Sequence, residues 1–134
     1  MIGEKMIFID SSYFIALLDS KEKHHERAVS LYPEILDDNL KFVPLLMLSE
    51  LMAHLGRYQG GQIAKTAYEI IKDNFNIYYP SSDDIDNAME LVLHYGGSLS
   101  LADCLAIVLM RDMNSYTIYS FDSDFDKEGI VRVH

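Results

Sequence analysis

Short apolar segments alternate with longer amphipathic segments along the chain. Short segments rich in β-branched and aromatic residues predict strands, and apolar residues at helical spacing predict helices. The predicted strands are 6–9, 41–43, 77–79, 117–120 and 130–133. The predicted helices are 13–18, 24–36, 44–58, 62–74, a segment that begins at Ser81 or Ser82 and is closed by Gly96 and Gly97, and 101–111.

Strands separated by helical segments predict an α/β fold. Such connections are right-handed crossovers, and they produce a parallel sheet that is covered on both faces. With 134 residues, the chain has the size of one domain, so we expect a single domain over 1–134. The acidic segment 37–39 is predicted to be a turn, and a hydroxyl of Ser11 or Ser12 is expected to cap the first helix.

Composition narrows the possible environments and partners. Cys104 is the single cysteine, which excludes an internal disulfide, and every apolar run is far too short to span a membrane. We therefore expect a cytoplasmic protein. The net charge of −10 argues against a simple basic nucleic-acid-binding surface. Either the acids are spread over a solvated surface, or several of them line one pocket that binds a divalent cation.

Several acids stand at the ends of predicted elements. Asp10 follows the first strand, Asp122 follows the fourth, and Asp124 comes two residues later. If these two strands are neighbours, their acids leave the sheet at the same edge, where open α/β sheets bind ligands. Glu50 lies about two turns into the helix after the second strand, and Asp103 lies in the first turn of the helix 101–111. Carboxylates from distant parts of the chain suit Mg²⁺, which prefers oxygen ligands.

Each acid also has an ordinary structural interpretation. Asp10 could cap a helix, and Asp103 completes a Ser100-x-x-Asp103 pattern that resembles a capping box. Glu50 lies opposite the main apolar face of its helix and could be a solvated residue. The acids in the segment 121–126 could belong to an ordinary acidic turn. Taken one by one, these residues leave both interpretations open.

Two other phosphoryl-transfer folds fit the sequence poorly. A haloacid-dehalogenase phosphatase would require an acid at position 12, where Ser12 stands. A receiver domain would require an aspartate after the third strand, where Tyr79, Pro80 and Ser81 stand. The chain also contains no P-loop and no glycine-rich dinucleotide-binding motif.

Taken together, the motifs resemble those of the PIN domain family, the metal-dependent ribonuclease module of VapC-type toxins and of RNA-processing factors. The resemblance covers essentially the whole chain. The stretches that carry it are 7–12 with 16–19, His25-x-x-Ala28, 44–51, 99–106 and 120–125. It implies a three-layer α/β/α sandwich with a five-stranded parallel sheet in the order 3-2-1-4-5.

The resemblance also implies a set of site residues. The catalytic acids would be Asp10, Glu50, Asp103 and Asp122, which would line an acidic pocket for Mg²⁺ or Mn²⁺. Asp124 would be an additional or alternative metal ligand. Ser12 and Ser120 would supply hydroxyl groups that orient the carboxylates.

The function implied by the resemblance is hydrolysis of RNA phosphodiester bonds by an endoribonuclease, as the toxin of a toxin–antitoxin pair. The expected partners are an RNA substrate, a basic antitoxin protein and a second copy of the chain, with no membrane. Two alternatives stay open within the family: an RNA-processing nuclease, and a non-catalytic module that binds RNA or a protein partner.

Overall fold

The computed structural model describes residues 5–37 and 40–134. Asp38 and Asn39 of the predicted turn lie outside these residues. The strands are β1 (Met6–Ile9), β2 (Leu40–Pro44), β3 (Asn76–Tyr78), β4 (Thr117–Tyr119) and β5 (Val131–Val133). The helices are α1 (Ser11–Leu18), α2 (His25–Leu36), α3 (Leu45–Gln59), α4 (Gly61–Asn74), α5 (Ser82–His94) and α6 (Leu101–Asp112), and a 3-10 helix covers Ser123–Phe125.

The five strands form one parallel sheet in the order β3-β2-β1-β4-β5, which confirms the predicted topology. Phe8 in β1 is opposite Phe42 in β2 on one side and Ile118 in β4 on the other. From β1 the chain adds β2 and β3 on one side and later adds β4 and β5 on the other, so the strand order reverses between β1 and β4. In parallel α/β sheets, the crevice beyond the carboxyl ends of the strands at such a reversal is the usual ligand site.

Helices cover both faces of the sheet. Ile7, Phe8 and Ile9 are consecutive residues of β1, and each is at most 1% exposed, so both faces of this central strand are buried. The connections from β1 to β2 and from β2 to β3 run in one direction, whereas that from β3 to β4 runs back. Right-handed crossovers therefore place α1 to α4 on one face and α5 and α6 on the other. Residues 102–110 of α6 are all buried, as the apolar pattern predicted.

The start of α1 differs from the prediction. Asp10 occupies the N-cap position without a side-chain cap bond, and the helix begins at Ser11. The expected serine cap is wrong because Ser12 lies inside the first turn, where its hydroxyl donates to the Asp10 carboxylate instead. Pro44 similarly ends β2 and precedes α3, rather than occupying its first turn. The other predicted strand bounds agree with the structure to within one residue.

No helix within the described ranges 5–37 and 40–134 is long and apolar enough to cross a membrane.

Candidate active site

Asp10 lies at the base of the candidate site, at the carboxyl end of β1. Its backbone N–H donates to the carbonyl of Tyr119 in β4 at 3.0 Å. The residue is only 3% exposed. Its Oδ2 accepts two hydrogen bonds, from Ser12 Oγ at 2.6 Å and from Ser120 Oγ at 2.7 Å. The carboxylate is therefore held in one orientation at the sheet edge between β1 and β4, where the strand order reverses.

Burial raises the pKa of Asp10 above its ordinary value. The hydrogen bonds from Ser12 and Ser120 and from the backbone N–H of Ser11 oppose this rise, whereas the negative charge of Asp122 adds to it. Burial of the charged form is the largest of these effects. Asp10 is thus an acid whose ionised form is costly and is stabilised in part by two serine hydroxyls.

The two serine hydroxyls also hold the loop that follows β4. Ser12 Oγ accepts the backbone N–H of Phe121 at 2.9 Å, and Ser120 Oγ accepts that of Asp122 at 3.0 Å. The two hydroxyl oxygens lie 3.2 Å apart. These bonds connect the first turn of α1 to the end of β4, and they fix the position of Asp122 relative to Asp10.

Asp122 and Asp124 lie in a loop that a side chain of β5 contacts at both ends. Asp122 Oδ1 accepts the backbone N–H of Asp124 at 2.9 Å, which begins the 3-10 helix. Arg132 forms a two-point contact with Asp126, with Nε–Oδ1 at 2.7 Å and Nη2–Oδ2 at 3.1 Å, and also donates to the carbonyl of Ser120 at 3.2 Å. The guanidinium thereby connects β5 to both ends of the loop that carries the two acids.

Asp103 approaches the same loop from the start of α6. Ser100 caps the helix by accepting the backbone N–H of Asp103 at 3.1 Å. One carboxylate oxygen from each of Asp103, Asp122 and Asp124 lies within 4.8 Å of the other two. Burial is the main cause that raises the pKa of Asp103 to about 6, with further contributions from the charges of Asp10, Asp122 and Asp124.

Glu50 lies at the rim of the pocket, in the second turn of α3. The residue as a whole is exposed, but its carboxyl end is shielded by the pocket. That shielding is the main cause that raises the pKa of Glu50 to about 7, and repulsion from Asp10, Asp103 and Asp122 contributes as well. Glu50 is therefore solvent-facing, as its helix face indicated, but it also lies within the field of the other acids.

The arrangement fits a hard divalent cation. The convergent donors are carboxylate oxygens, which Mg²⁺ and Mn²⁺ accept, and three of them already lie within 4.8 Å of one another. Without a cation, the repulsion and burial of these groups raise the pKa of Asp103 and Glu50. A bound cation would remove both penalties. Asp10 and Glu50 stand beside this group of three rather than within it.

Two supporting contacts were not found from the sequence. The two-point contact between Arg132 and Asp126 joins residues on either side of an irregular loop, and no periodic pattern relates them. The bond from the Phe121 N–H to Ser12 likewise joins residues that are 109 positions apart. Only the folded chain brings these groups together.

A pocket of carboxylates at the reversal point of a five-stranded parallel sheet is typical of α/β domains with an acidic, cation-dependent site. The family model of the PIN domain matches residues 7–129 of the chain. The chain belongs to the PIN domain family.

Known relatives match almost the whole chain. The 23S rRNA-specific endonuclease VapC20 of Mycobacterium tuberculosis is 28% identical in an alignment 134 residues long that covers 96% of this chain and 98% of that protein. The crystal structure of VapC20, described as a sarcin-ricin loop cleaving toxin, matches with a TM-score of 0.84 and 26% identity, covering 95% and 98% of the two chains. A toxin–antitoxin complex from Klebsiella pneumoniae has a TM-score of 0.65 at 19% identity, covering 93% and 95%, which shows the shared fold.

Proposed function

We propose that this protein is a metal-dependent endoribonuclease and the toxin of a toxin–antitoxin pair. The observation that carries the proposal is the convergence of Asp103, Asp122 and Asp124 beside the buried Asp10, in a chain that belongs to the PIN family. The full-length similarity to an rRNA-specific endonuclease supports RNA as the substrate class.

We assign the acids separate roles within the pocket. Asp10, Glu50, Asp103 and Asp122 form the catalytic set, and Asp124 adds a metal-binding carboxylate close to Asp103 and Asp122. Mg²⁺ or Mn²⁺ is the proposed cation because all of these donors are carboxylate oxygens. When bound, the cation supplies an acidified water and neutralises charge on the phosphodiester oxygens.

The chain's own groups prepare the pocket for this chemistry. Ser12 and Ser120 hold the Asp10 carboxylate, so Asp10 does not need to reorganise when the substrate arrives. Glu50 faces solvent at the rim of the pocket, so its carboxylate is placed to accept a proton from an attacking water. Arg132 keeps the acidic loop in place from the outside.

The partners follow from the same proposal. An arginine of a basic antitoxin segment could form charge-assisted hydrogen bonds with the acidic pocket and block it. The fold of the chain is also found in a toxin–antitoxin complex, and this shared fold supports such a partner. A homodimer and a cytoplasmic location stay predictions, as does a single domain over 1–134.

The decisive experiment is cleavage of a mixed RNA pool by purified, untagged protein with Mg²⁺, with Mn²⁺ and with a chelator. Asp10→Asn removes the buried charge, and Asp86→Asn on the exposed side of α5 serves as a matched control. We expect metal-dependent cutting by the wild type and the control, and no cutting by Asp10→Asn. Equal cutting in chelator, or full activity of Asp10→Asn, would contradict the proposed site.

The non-catalytic alternative gives a different result in the same experiment. A PIN-fold module that only binds RNA would leave the pool intact with either cation. It would still show metal-induced thermal stabilisation that Asp10→Asn reduces. That pattern would keep the acidic pocket as a metal site and replace cleavage with binding as its function.

A further inference from the structure

A second group of potential ligands lies away from the catalytic acids, at the opposite end of α1. Asp19 follows the last residue of α1, Glu22 lies in the loop before α2, and His54 lies on α3. One ligand atom from each of the three lies within 4.8 Å of the other two. These residues line a cleft of about 580 Å³. The other lining residues are Leu18, Ser20, Lys21, Tyr58 and Gln59.

The spacing of the donors fits a shared ion better than a direct hydrogen bond. His54 Nε2 and Asp19 Oδ2 are 3.9 Å apart, which is too far for a hydrogen bond. Two ligands bound at about 2.1 Å in tetrahedral geometry lie roughly 3.4 Å from each other. Small side-chain rotations would therefore bring the imidazole and the two carboxylates into contact with one ion.

His54 supplies an independent indication of a ligand. Its Nε2 is buried and has no hydrogen-bond partner within the described part of the chain, although the ring as a whole keeps 23% of its surface exposed. Buried polar atoms are almost always paired, so an unpaired nitrogen calls for an explanation. The ring packs against Tyr58 at 4.8 Å, and the nitrogen faces Asp19.

The surrounding contacts prepare this arrangement. Asp19 Oδ1 accepts the backbone N–H of Lys21 at 2.9 Å, which leaves Oδ2 directed towards His54. Gln59 Nε2 donates to the carbonyl of Leu18 at 3.2 Å and connects the end of α3 to the end of α1. The donors therefore come from elements that already contact each other, while the cleft stays open for an ion to enter.

We propose that Asp19, Glu22 and His54 bind a first-row transition-metal ion such as Zn²⁺ or Co²⁺ at a site separate from the catalytic pocket. An imidazole with two carboxylates suits these ions, whereas Mg²⁺ prefers oxygen ligands only and retains its waters. The bound ion connects the loop after α1 to α3, one helical turn beyond Glu50. The main competing cation is the ammonium group of Lys21, which lines the same cleft.

The test separates the two metal sites by disabling one of them. Asp103→Asn and Asp122→Asn are combined in untagged protein, which is dialysed against Co²⁺ in a large excess of Mg²⁺. We expect one retained equivalent of Co²⁺ with a visible absorption band that reports its coordination geometry and changes when His54 is replaced. Adding His54→Leu should weaken Co²⁺ binding at least about tenfold, whereas His94→Leu on α5 should have no effect.

Two results would overturn the proposal. One is Co²⁺ affinity that His54→Leu leaves unchanged. The other is no retained Co²⁺ in the background variant, which would mean that His54 forms only an ion pair with Asp19. Asp19→Asn provides a second test that keeps the histidine, and it should also weaken binding at least about tenfold. Because Mg²⁺-dependent RNA cleavage is measured separately, failure here would leave the proposed nuclease function untouched.

Discussion

The amino termini of α5 and α6 carry the same short pattern and use it differently. Each begins with a serine N-cap followed three residues later by an aspartate: Ser81 with Asp84, and Ser100 with Asp103. In both helices the serine hydroxyl accepts the backbone N–H of the aspartate at 3.1 Å. In α5 the Asp84 carboxylate also accepts the backbone N–H of Ser81 at 2.9 Å and the hydroxyl of Tyr78 at 3.0 Å. This helix therefore has a complete capping box.

The two carboxylates also differ in their electrostatics. Hydrogen bonds to the Asp84 carboxylate, chiefly the one from the Ser81 N–H, stabilise its ionised form and lower its pKa. Burial and the charges of Asp10, Asp122 and Asp124 raise the pKa of Asp103 to about 6, against a smaller opposing contact with Ser100. The difference follows from location. α5 begins beside the edge strand β3, whereas α6 begins beside the acids at the reversal point of the sheet.

The largest expected contrast between the two aspartates is in RNA cleavage. Asp103→Asn should lower kcat/KM at least about 1000-fold, because it removes a carboxylate from the proposed metal-binding group. Asp84→Asn should change kcat/KM by less than about twofold, because its carboxylate contacts the cap and the Tyr78 hydroxyl and lies outside the acidic pocket. Initial rates on one RNA substrate with Mg²⁺ check both values. Comparable losses in the two variants would mean that the acidic pocket is not where catalysis occurs.

The next contrast is in the pH dependence of stability without metal. Because the pKa of Asp103 is raised in the folded state, folding stabilises its protonated form. The free energy of unfolding of the wild type should therefore fall as the pH rises from about 4 to 7, with Asp103 contributing on the order of 1–3 kcal/mol. Asp103→Asn should make this decrease smaller without abolishing it, because Glu50 and Asp10 also have raised pKa values. Asp84 has a lowered pKa, so its contribution is present above the ordinary carboxyl pKa and is lost below it.

Chemical denaturation in the presence of a chelator, at intervals between pH 4 and 8, measures this dependence. Asp84→Asn should keep the decrease between pH 4 and 7, because Asp84 does not titrate there. A decrease of the same size in Asp103→Asn would show that other groups cause it.

Removing a hydroxyl that serves the site should have a smaller effect than removing a ligand. Ser120→Ala deletes a buried donor to Asp10 and an acceptor for the Asp122 N–H, and should lower metal affinity and cleavage about 10- to 100-fold. Ser81→Ala deletes a serine of the α5 cap and should leave both unchanged. Metal titration followed by intrinsic fluorescence gives the affinities. An unchanged affinity in Ser120→Ala would argue against a positioning role for this hydroxyl.

The smallest expected effect is that of the α5 cap on stability. Asp84→Ala removes the returning half of the capping box and the acceptor of the Tyr78 hydroxyl, and should reduce the free energy of unfolding by about 1 kcal/mol. Urea denaturation at pH 7 measures the loss. Asp83→Ala, in the same turn, is the control and should cost less, since its side chain makes no part of the box. Equal losses would point to the helix dipole rather than the cap.

Much of the fold follows from local patterns in the sequence. The alternation of short apolar and longer amphipathic segments predicted each strand and each α-helix that the described residues form, although not the 3-10 helix Ser123–Phe125, because burial imposes these periods on any α/β chain. The resemblance of the motifs predicted the strand order, which the structure confirms. The positions of Asp10 and Asp122 near strand ends could be read from the sequence, because Asp10 directly follows an apolar run and Asp122 comes two residues after the predicted fourth strand.

The use of each polar group depended on tertiary structure. Ser12 looked like a helix cap, but its hydroxyl donates to the Asp10 carboxylate. Ser120, which is 110 positions from Asp10 along the chain, donates to the same carboxylate oxygen. Glu50 looked solvated, yet burial of its carboxyl end, together with repulsion from three distant acids, raises its pKa to about 7.

The sequence by itself determined where helices and strands occur and which acids stand at their ends. Only the tertiary structure decided that Asp103 joins an acidic pocket while Asp84, in the same local pattern, closes a cap. It also brought His54 to face Asp19 across a cleft. The physical reason is that hydrophobic periodicity is a local property of the chain. Desolvation, Coulomb repulsion and ligand geometry depend on distances between residues that only folding brings together.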